Sequence, residues 1–177
     1  RQYIRELLAY QIEGMIVLSH TISSEELASF HVPIVTIERE DRYTCSVNTD
    51  NYMGGLQATS LLYKNQCDIY IHINTDVPPE TPAYGRIRGF QDICRDQQLP
   101  HELILSDLGN SYPEASKRIL PIFESIEKKY ANQKKGIFMS NDTHANILLN
   151  LLIRKYGTFP EDYRLVGFDN SPISSEA

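Results

Sequence analysis

The chain has 177 residues, enough for one large domain or two small lobes, and 41% of them are apolar, which supports a packed core rather than disorder. The net charge is −6, and the one short basic run, Lys134-Lys135, reads as a solvated turn before a strand. Both argue against a nucleic-acid surface on this stretch, which would need clustered Lys and Arg. Cys45, Cys67 and Cys94 are odd in number, far apart and without metal-ligand spacing, and they suggest a reducing compartment. No apolar run reaches the roughly eighteen residues of a membrane-spanning helix, and no signal peptide is visible.

Residues 1–11 place Ile4, Leu7 and Leu8 on one face, so they read as a helix, stopped by Glu13-Gly14. Met15-Ile16-Val17-Leu18 is a continuous apolar run, as expected for a strand covered on both faces. Ser23-Ser24-Glu25-Glu26 has the form of a capping box and starts a short helix. Residues 32–37 form the next strand, with Pro33 near its start, and residues 45–48 a shorter one. A helix follows over 52–63. Its Gly54-Gly55 is poor helix material and implies close backbone approach to a neighbour or a ligand.

Residues 69–73 are a strand, and 74–84 a polar, proline-rich loop. Residues 85–97 are helical, with Ile87, Phe90, Ile93 and Cys94 in register. Residues 103–105 are a strand. Pro113 opens a long helix to about residue 130, 136–140 are a strand, and 142–156 a helix ended by Gly157. The last strand, 163–168, ends in Gly-Phe-Asp-Asn. Strand and helix alternate throughout, which argues for parallel sheets with helices on both faces. The chain opens inside a helix and closes just after a strand, so the sequence reads as cut at both ends.

Polar groups recur at one address, the carboxyl end of a strand or the start of the next helix, where open α/β sheets bind ligands. They are Asp50, Asn141 with Asp142, Asp169 with Asn170, and Arg86 after the long loop. Carboxylates, an amide and an arginine can ring a polyhydroxylated ligand, and Tyr112 could stack on a sugar face. Each has a plainer reading beside it: Asp50 and Asp142 as helix caps, Arg86 as a surface salt bridge, Tyr112 as half-buried packing, Asp169 as a turn residue. His20 could face the same cleft, whereas His72, inside a strand, reads as a satisfied core residue. No Gly-x-Ser-x-Gly elbow, Walker A or Gly-x-Gly-x-x-Gly sequence occurs. The histidines give no metal pair, and nothing supplies a nucleophile–base pair.

Four motifs in order then resemble one family. Val32-Pro33-Ile34-Val35 with Asp50-Asn51-Tyr52-Met53-Gly54-Gly55, Arg86-Ile87-Arg88-Gly89-Phe90, Ser140-Asn141-Asp142-Thr143-His144-Ala145, and Pro160-Glu161-Asp162 with Val166-Gly167-Phe168-Asp169-Asn170 resemble lac-repressor-type (LacI) effector domains. The resemblance implies a periplasmic-binding-protein-like type I fold of two doubly wound parallel-sheet lobes. Residues 1–63 would belong to a first, incomplete lobe and 64–177 to the second. It also implies a small-molecule effector in the cleft, a sugar or related polyol being favoured and a purine the other class. The matching effector-contacting positions are Asp50, Arg86, Asn141 and Asp169, with Tyr112 as a stacking aromatic and Thr143 and His20 as weaker candidates.

A homodimer is implied as well, with an operator bound through an amino-terminal helix-turn-helix absent from this chain, and no cofactor, metal or membrane. There are departures: Asn65-Gln66 replaces the family's Gly-His and expects Asn65 to take the left-handed turn, and Ile147 replaces a frequent glycine. The expectation is a cytoplasmic, non-enzymatic transcriptional regulator of the LacI type, repression being the favoured sense. The alternative is a periplasmic sugar-binding protein of a transport system.

Overall fold

The computed structural model describes residues 2–175; Arg1, with which the expected first helix begins, lies outside them. The described residues form two compact units, one running to Asn51 and including Pro78–Tyr84, the other made of Tyr52–Val77 and the residues from Gly85 onward.

The first unit contains α1 (Gln2–Ala9), β1 (Met15–Val17), α2 (Ser24–Ala28), β2 (Ile34–Ile37) and β3 (Cys45–Val47). Its three strands are parallel in the order β1-β2-β3. Helix α1 stops two residues short of expectation because Gln11 turns left-handed at φ 55°. Ser23 caps α2 as the sequence foretold, its hydroxyl accepting from Glu26 N at 3.2 Å. Strand β2 starts one residue after Pro33, whose carbonyl instead accepts from Met15 N at 2.9 Å. Ile22, Leu27 and Ile34 form a small core, joined by Met15 and Val17. Ile16, however, is 72% exposed, so β1 alternates and is covered on one face, not two. A four-residue apolar run cannot by itself distinguish those cases.

The second unit holds β4 (Ile69–Asn74), β5 (His101–Leu105), β6 (Lys135–Met139) and β7 (Tyr163–Val166), all parallel in the order β5-β4-β6-β7. Central strand β4 is buried along its whole length, and its two faces feed two cores. Ile69, Ile71 and Ile73 join Ile137 and Met139 against α5 (Tyr112–Lys129) and α6 (Asp142–Tyr156). Tyr70 joins Phe138 against Ala58 and Leu62 of α3 (Asn51–Lys64) and Phe90 and Cys94 of α4 (Tyr84–Asp96). Ala115, Ile119, Phe123 and Ile126 give α5 its buried stripe at helical spacing. Gly157, at φ 79°, ends α6 in the left-handed cap expected of it.

Four details depart from the sequence reading. Nearly all of α3 belongs to the second unit, so the compact units divide near residue 51 and not at 63. Gln66, at φ 52°, takes the left-handed turn in place of Asn65, whose amide instead donates to Leu61 O at 2.8 Å. Ile147 is buried in the α5–α6 core, where its side chain fills space that a glycine would leave empty. Lys135 is not in a solvated turn: it opens β6 with a side chain only 2% exposed, paired to Asp162 at 2.6 Å. Its ammonium also donates to Gln133 O at 2.7 Å and faces the Tyr163 ring at 4.5 Å. A buried lysine needs such partners, and Asp162 is supplied by a distant segment that the basic dipeptide does not reveal.

Candidate functional site

In the second unit the chain enters the sheet at β4, steps outward to β5, then reverses to β6 and β7. The carboxyl ends of β4 and β6 therefore flank a topological switch point, the usual ligand address of such sheets. Arg86, half-buried in the first turn of α4, reaches it. Its Nη1 donates to Ser140 O at 2.5 Å, just past β6, and its guanidinium carbon lies 4.5 Å from the centre of the Phe168 ring. So Arg86 is anchored to main chain and to an aromatic face.

The glycines explain how α3 and α4 come close enough. A Cβ on Gly55 would stand 2.5 Å from Arg86 O, and one on Gly89 2.5 Å from Tyr52 O. A Cβ on Gly54 would stand 2.3 Å from the Phe168 ring. The close approach foreseen for Gly54-Gly55 is thus present, and its partners are the two residues of the guanidinium–ring contact.

Asn141, in extended conformation, is the N-cap of α6; its Oδ1 accepts from His144 N at 2.8 Å. The capping role considered for Asp142 falls to Asn141, whose Nδ2 has no partner among the described residues. Asp142 instead holds the turn after β7. Its Oδ2 accepts from Ser171 N at 2.6 Å and from the Ser171 hydroxyl at 3.2 Å, and its own N–H donates to Phe168 O at 2.9 Å. Within that turn Asp169 (φ 96°) and Asn170 (φ 51°) are consecutive left-handed residues without a glycine. Such backbone persists only where surrounding bonds hold it, and here Asp142 supplies them. Asp169 is exposed and Thr143, at the start of α6, half-buried.

Buried polar groups lie beneath. His72, fully buried, has Nδ1 2.9 Å from Phe138 O and Nε2 3.1 Å from Asn74 Nδ2, and stacks on the Phe138 ring at 4.2 Å. Burial, with the Arg86 charge adding to it against the Phe138 bond, pushes its pKa down to about 4, so the ring is neutral, as expected of a core histidine. Ser140 Oγ lies 2.6 Å from His144 Nδ1, both residues buried, and burial lowers the His144 pKa. This hydroxyl–imidazole pair corrects the reading that no such pair exists; one helical turn brings them together. No carboxylate among the described residues bonds that imidazole, so it lacks the orienting group of a triad.

Tyr112 stands at the start of α5, 42% exposed, with its hydroxyl donating to Asn146 Oδ1 at 3.0 Å and accepting from Asn150 Nδ2 at 3.3 Å. The hydroxyl is tied to α6, which leaves the ring as the group available for stacking. In the first unit, Asp50 is exposed at the end of the segment after β3, and His20 is exposed in the loop after β1. That loop is held by Arg39, which sequence reasoning passed over: its Nη1 donates to Ile22 O at 2.6 Å and its Nη2 to Ser19 O. Ser140, His144 and Phe168 were quoted only as motif letters, and their contacts follow from the fold.

No family model matches the chain. The sucrose operon repressor of Pediococcus pentosaceus is 29% identical over 98% of this chain and 52% of its own length. The ribose operon repressor of Halalkalibacterium halodurans is 23% identical over 99% of this chain and 51% of its own. A solved LacI family transcriptional regulator of Enterococcus faecium with bound ribose superposes with a TM-score of 0.72 at 25% identity, over 96% of this chain and 63% of that structure.

The chain is similar to LacI family regulators over nearly its whole length. It has a mixed α/β, periplasmic-binding-protein-like architecture with parallel sheets. The chain spans about half the length of the curated relatives it matches. Among the described residues, no helix is long and apolar enough to cross a membrane.

Proposed function

We propose that this chain is the effector-binding and dimerisation part of a sugar-responsive transcriptional repressor, working in the cytoplasm as a homodimer. The observation that carries this reading is that the relatives matching nearly its whole length are repressors of sucrose and ribose operons. Arg86, Asn141 and Asp169 are proposed as hydrogen-bonding contacts to the sugar, and Tyr112 as a stacking face. Asp50, Thr143 and His20 carry the same expectation, the last two more weakly.

A fork of guanidinium donors, an amide and a carboxylate is chemistry suited to a ring of hydroxyls. The pairing of Ser140 with His144 serves to order the start of α6 and takes no part in a reaction. The residues of this chain would contribute to operator recognition indirectly: the sugar binds two states of the regulator with different affinity, and that difference shifts its hold on DNA. The operator itself is proposed to be bound by a part of the protein outside these residues. Calorimetric titration with sucrose, D-ribose, maltose and purine bases tests this. Saturable binding of a sugar is expected; binding of a purine with no sugar bound would overturn the sugar assignment.

A further inference from the structure

Asn74 is the last residue of β4, at the switch point, and is 3% exposed. It lies beside the Arg86 anchor: Ser140, whose carbonyl Arg86 bonds, donates its own N–H to Ile73 O at 2.9 Å. On the other side the Asn74 carbonyl accepts from Ser106 N at 3.1 Å. The backbone of Asn74 is thus fixed between the ends of β5 and β6.

The orientation of its side chain follows from hydrogen-bond logic. Phe138 O can only accept, so the His72 nitrogen 2.9 Å away, Nδ1, carries the proton. The ring is neutral, so Nε2 is left with a lone pair and must accept. Asn74 must therefore present its Nδ2 to that nitrogen, as the 3.1 Å contact has it, and its Oδ1 is turned away. Among the described residues Oδ1 accepts no hydrogen bond, yet it is not one of the buried polar atoms sealed without a partner. A nearly buried amide oxygen held in one orientation at a ligand address calls for a donor from outside the protein.

We infer that Asn74 is a specificity-determining residue of the sugar site, presenting a fixed hydrogen-bond acceptor to one hydroxyl of the sugar, with His72 as the residue that positions it. This inference rests on the sugar-binding reading above. It adds a selection rule that Arg86, Asn141 and Asp169 do not supply: because Oδ1 can only accept and Nδ2 is already spent, the site reads a hydroxyl that donates. A sugar lacking that hydroxyl leaves the oxygen buried and unpaired, and is rejected.

The test uses D-ribose and sucrose as probes, titrated calorimetrically into the wild-type protein and Asn74→Leu, followed by the monodeoxy derivatives of whichever sugar binds. Asn74→Leu is expected to weaken binding about tenfold or more; it also strands His72 Nε2, so the melting temperature falls by a few degrees and binding is measured well below the transition. One monodeoxy derivative should lose as much on the wild type and nothing further on the variant. Equal affinity in wild type and Asn74→Leu would overturn the role of Asn74 while leaving the sugar-binding reading in place. No binding of either sugar to the wild type would remove both. Should Asn74→Leu fail to fold, the decision passes to two measurements on the wild type. Long-range proton–nitrogen correlation of the His72 ring is expected to show hydrogen on Nδ1, and the monodeoxy series to contain one rejected member. A ring protonated on Nε2, or a flat deoxy series, would sink the proposal.

Discussion

Arg86 Nη1 donates to the Ser140 carbonyl at 2.5 Å, so an arginine from the first turn of α4 is moored to the main chain just past β6. The mooring, with the Phe168 ring on one face, takes most of the rotamer freedom from the side chain before any ligand arrives. Arg86→Ala is expected to lower sugar affinity by roughly a hundredfold, about 2–3 kcal/mol, typical of a truncated charged anchor. Arg86→Lys should lose nearly as much, because an ammonium cannot both bond Ser140 and present a planar fork. Calorimetry with circular dichroism checks both, and a wild-type titration in either variant would remove Arg86 from the site.

The packing of α3 on α4 makes a second expectation. Gly55→Ala places a methyl 2.5 Å from Arg86 O and 3.0 Å from Arg86 Cα, which are main-chain atoms that cannot step aside. Gly89→Ala does the same against Tyr52 O and Leu56 N. Each should destabilise the protein by about 1–3 kcal/mol in urea unfolding. Gly157→Ala meets no atom within 4 Å but sits at φ 79°, so its smaller expected penalty of about 1 kcal/mol would come from the backbone alone.

Stability should also depend on pH through His72. The folded pKa is about 4, against 6.5 for the free side chain, so the unfolded chain binds the proton first as pH falls. The contribution of His72 is complete above about pH 6.5 and is lost progressively toward pH 4. Between pH 7 and pH 5 it amounts to on the order of 2 kcal/mol. His144, shifted in the same direction by burial, adds to the slope. Denaturant unfolding at the two pH values should show this loss, and His72→Gln should flatten it. A slope unchanged in His72→Gln would assign the pH dependence elsewhere.

Asp142 offers a test of positioning as distinct from contact. It accepts twice from Ser171 and so braces the turn that carries Asp169 and Asn170. Asp142→Ala is expected to cost about 1–3 kcal/mol of stability, the usual effect of stranding a bonded partner. Sugar affinity should fall several-fold, and Asp142→Asn, which keeps an acceptor oxygen, should recover part of both. An affinity unchanged in Asp142→Ala would mean that the turn does not need this brace to bind.

Much of this molecule could be read from its residues in order. The 2-to-3.6 change of hydrophobic period located the seven strands and six α-helices of the described residues to within a few residues, though not the short 3-10 turn Pro172–Ser175, because burial on a sheet and on a helix face impose those periods directly. Ser23 as a cap, Gly157 as a stop and Gly54-Gly55 as a close approach were legible for a local reason: each depends on the backbone of its own segment. The motifs around Arg86, Asn141 and Asp169 were legible as letters in a family pattern.

What the letters could not carry was pairing between distant segments. Lys135 looks solvated until Asp162, beyond an intervening helix, arrives beside it. Asp142 looks like a cap until Ser171 turns back onto its carboxylate. Tyr112 is an aromatic at a helix start until Asn146 and Asn150 claim its hydroxyl. Sequence alone determined the alternation and the parallel architecture, since these follow from local period, while the family likeness rested on motifs read as letters. Only the tertiary structure decided which polar atoms are spent on the protein and which remain for a ligand, because a hydrogen bond is settled by where two separated segments meet in space.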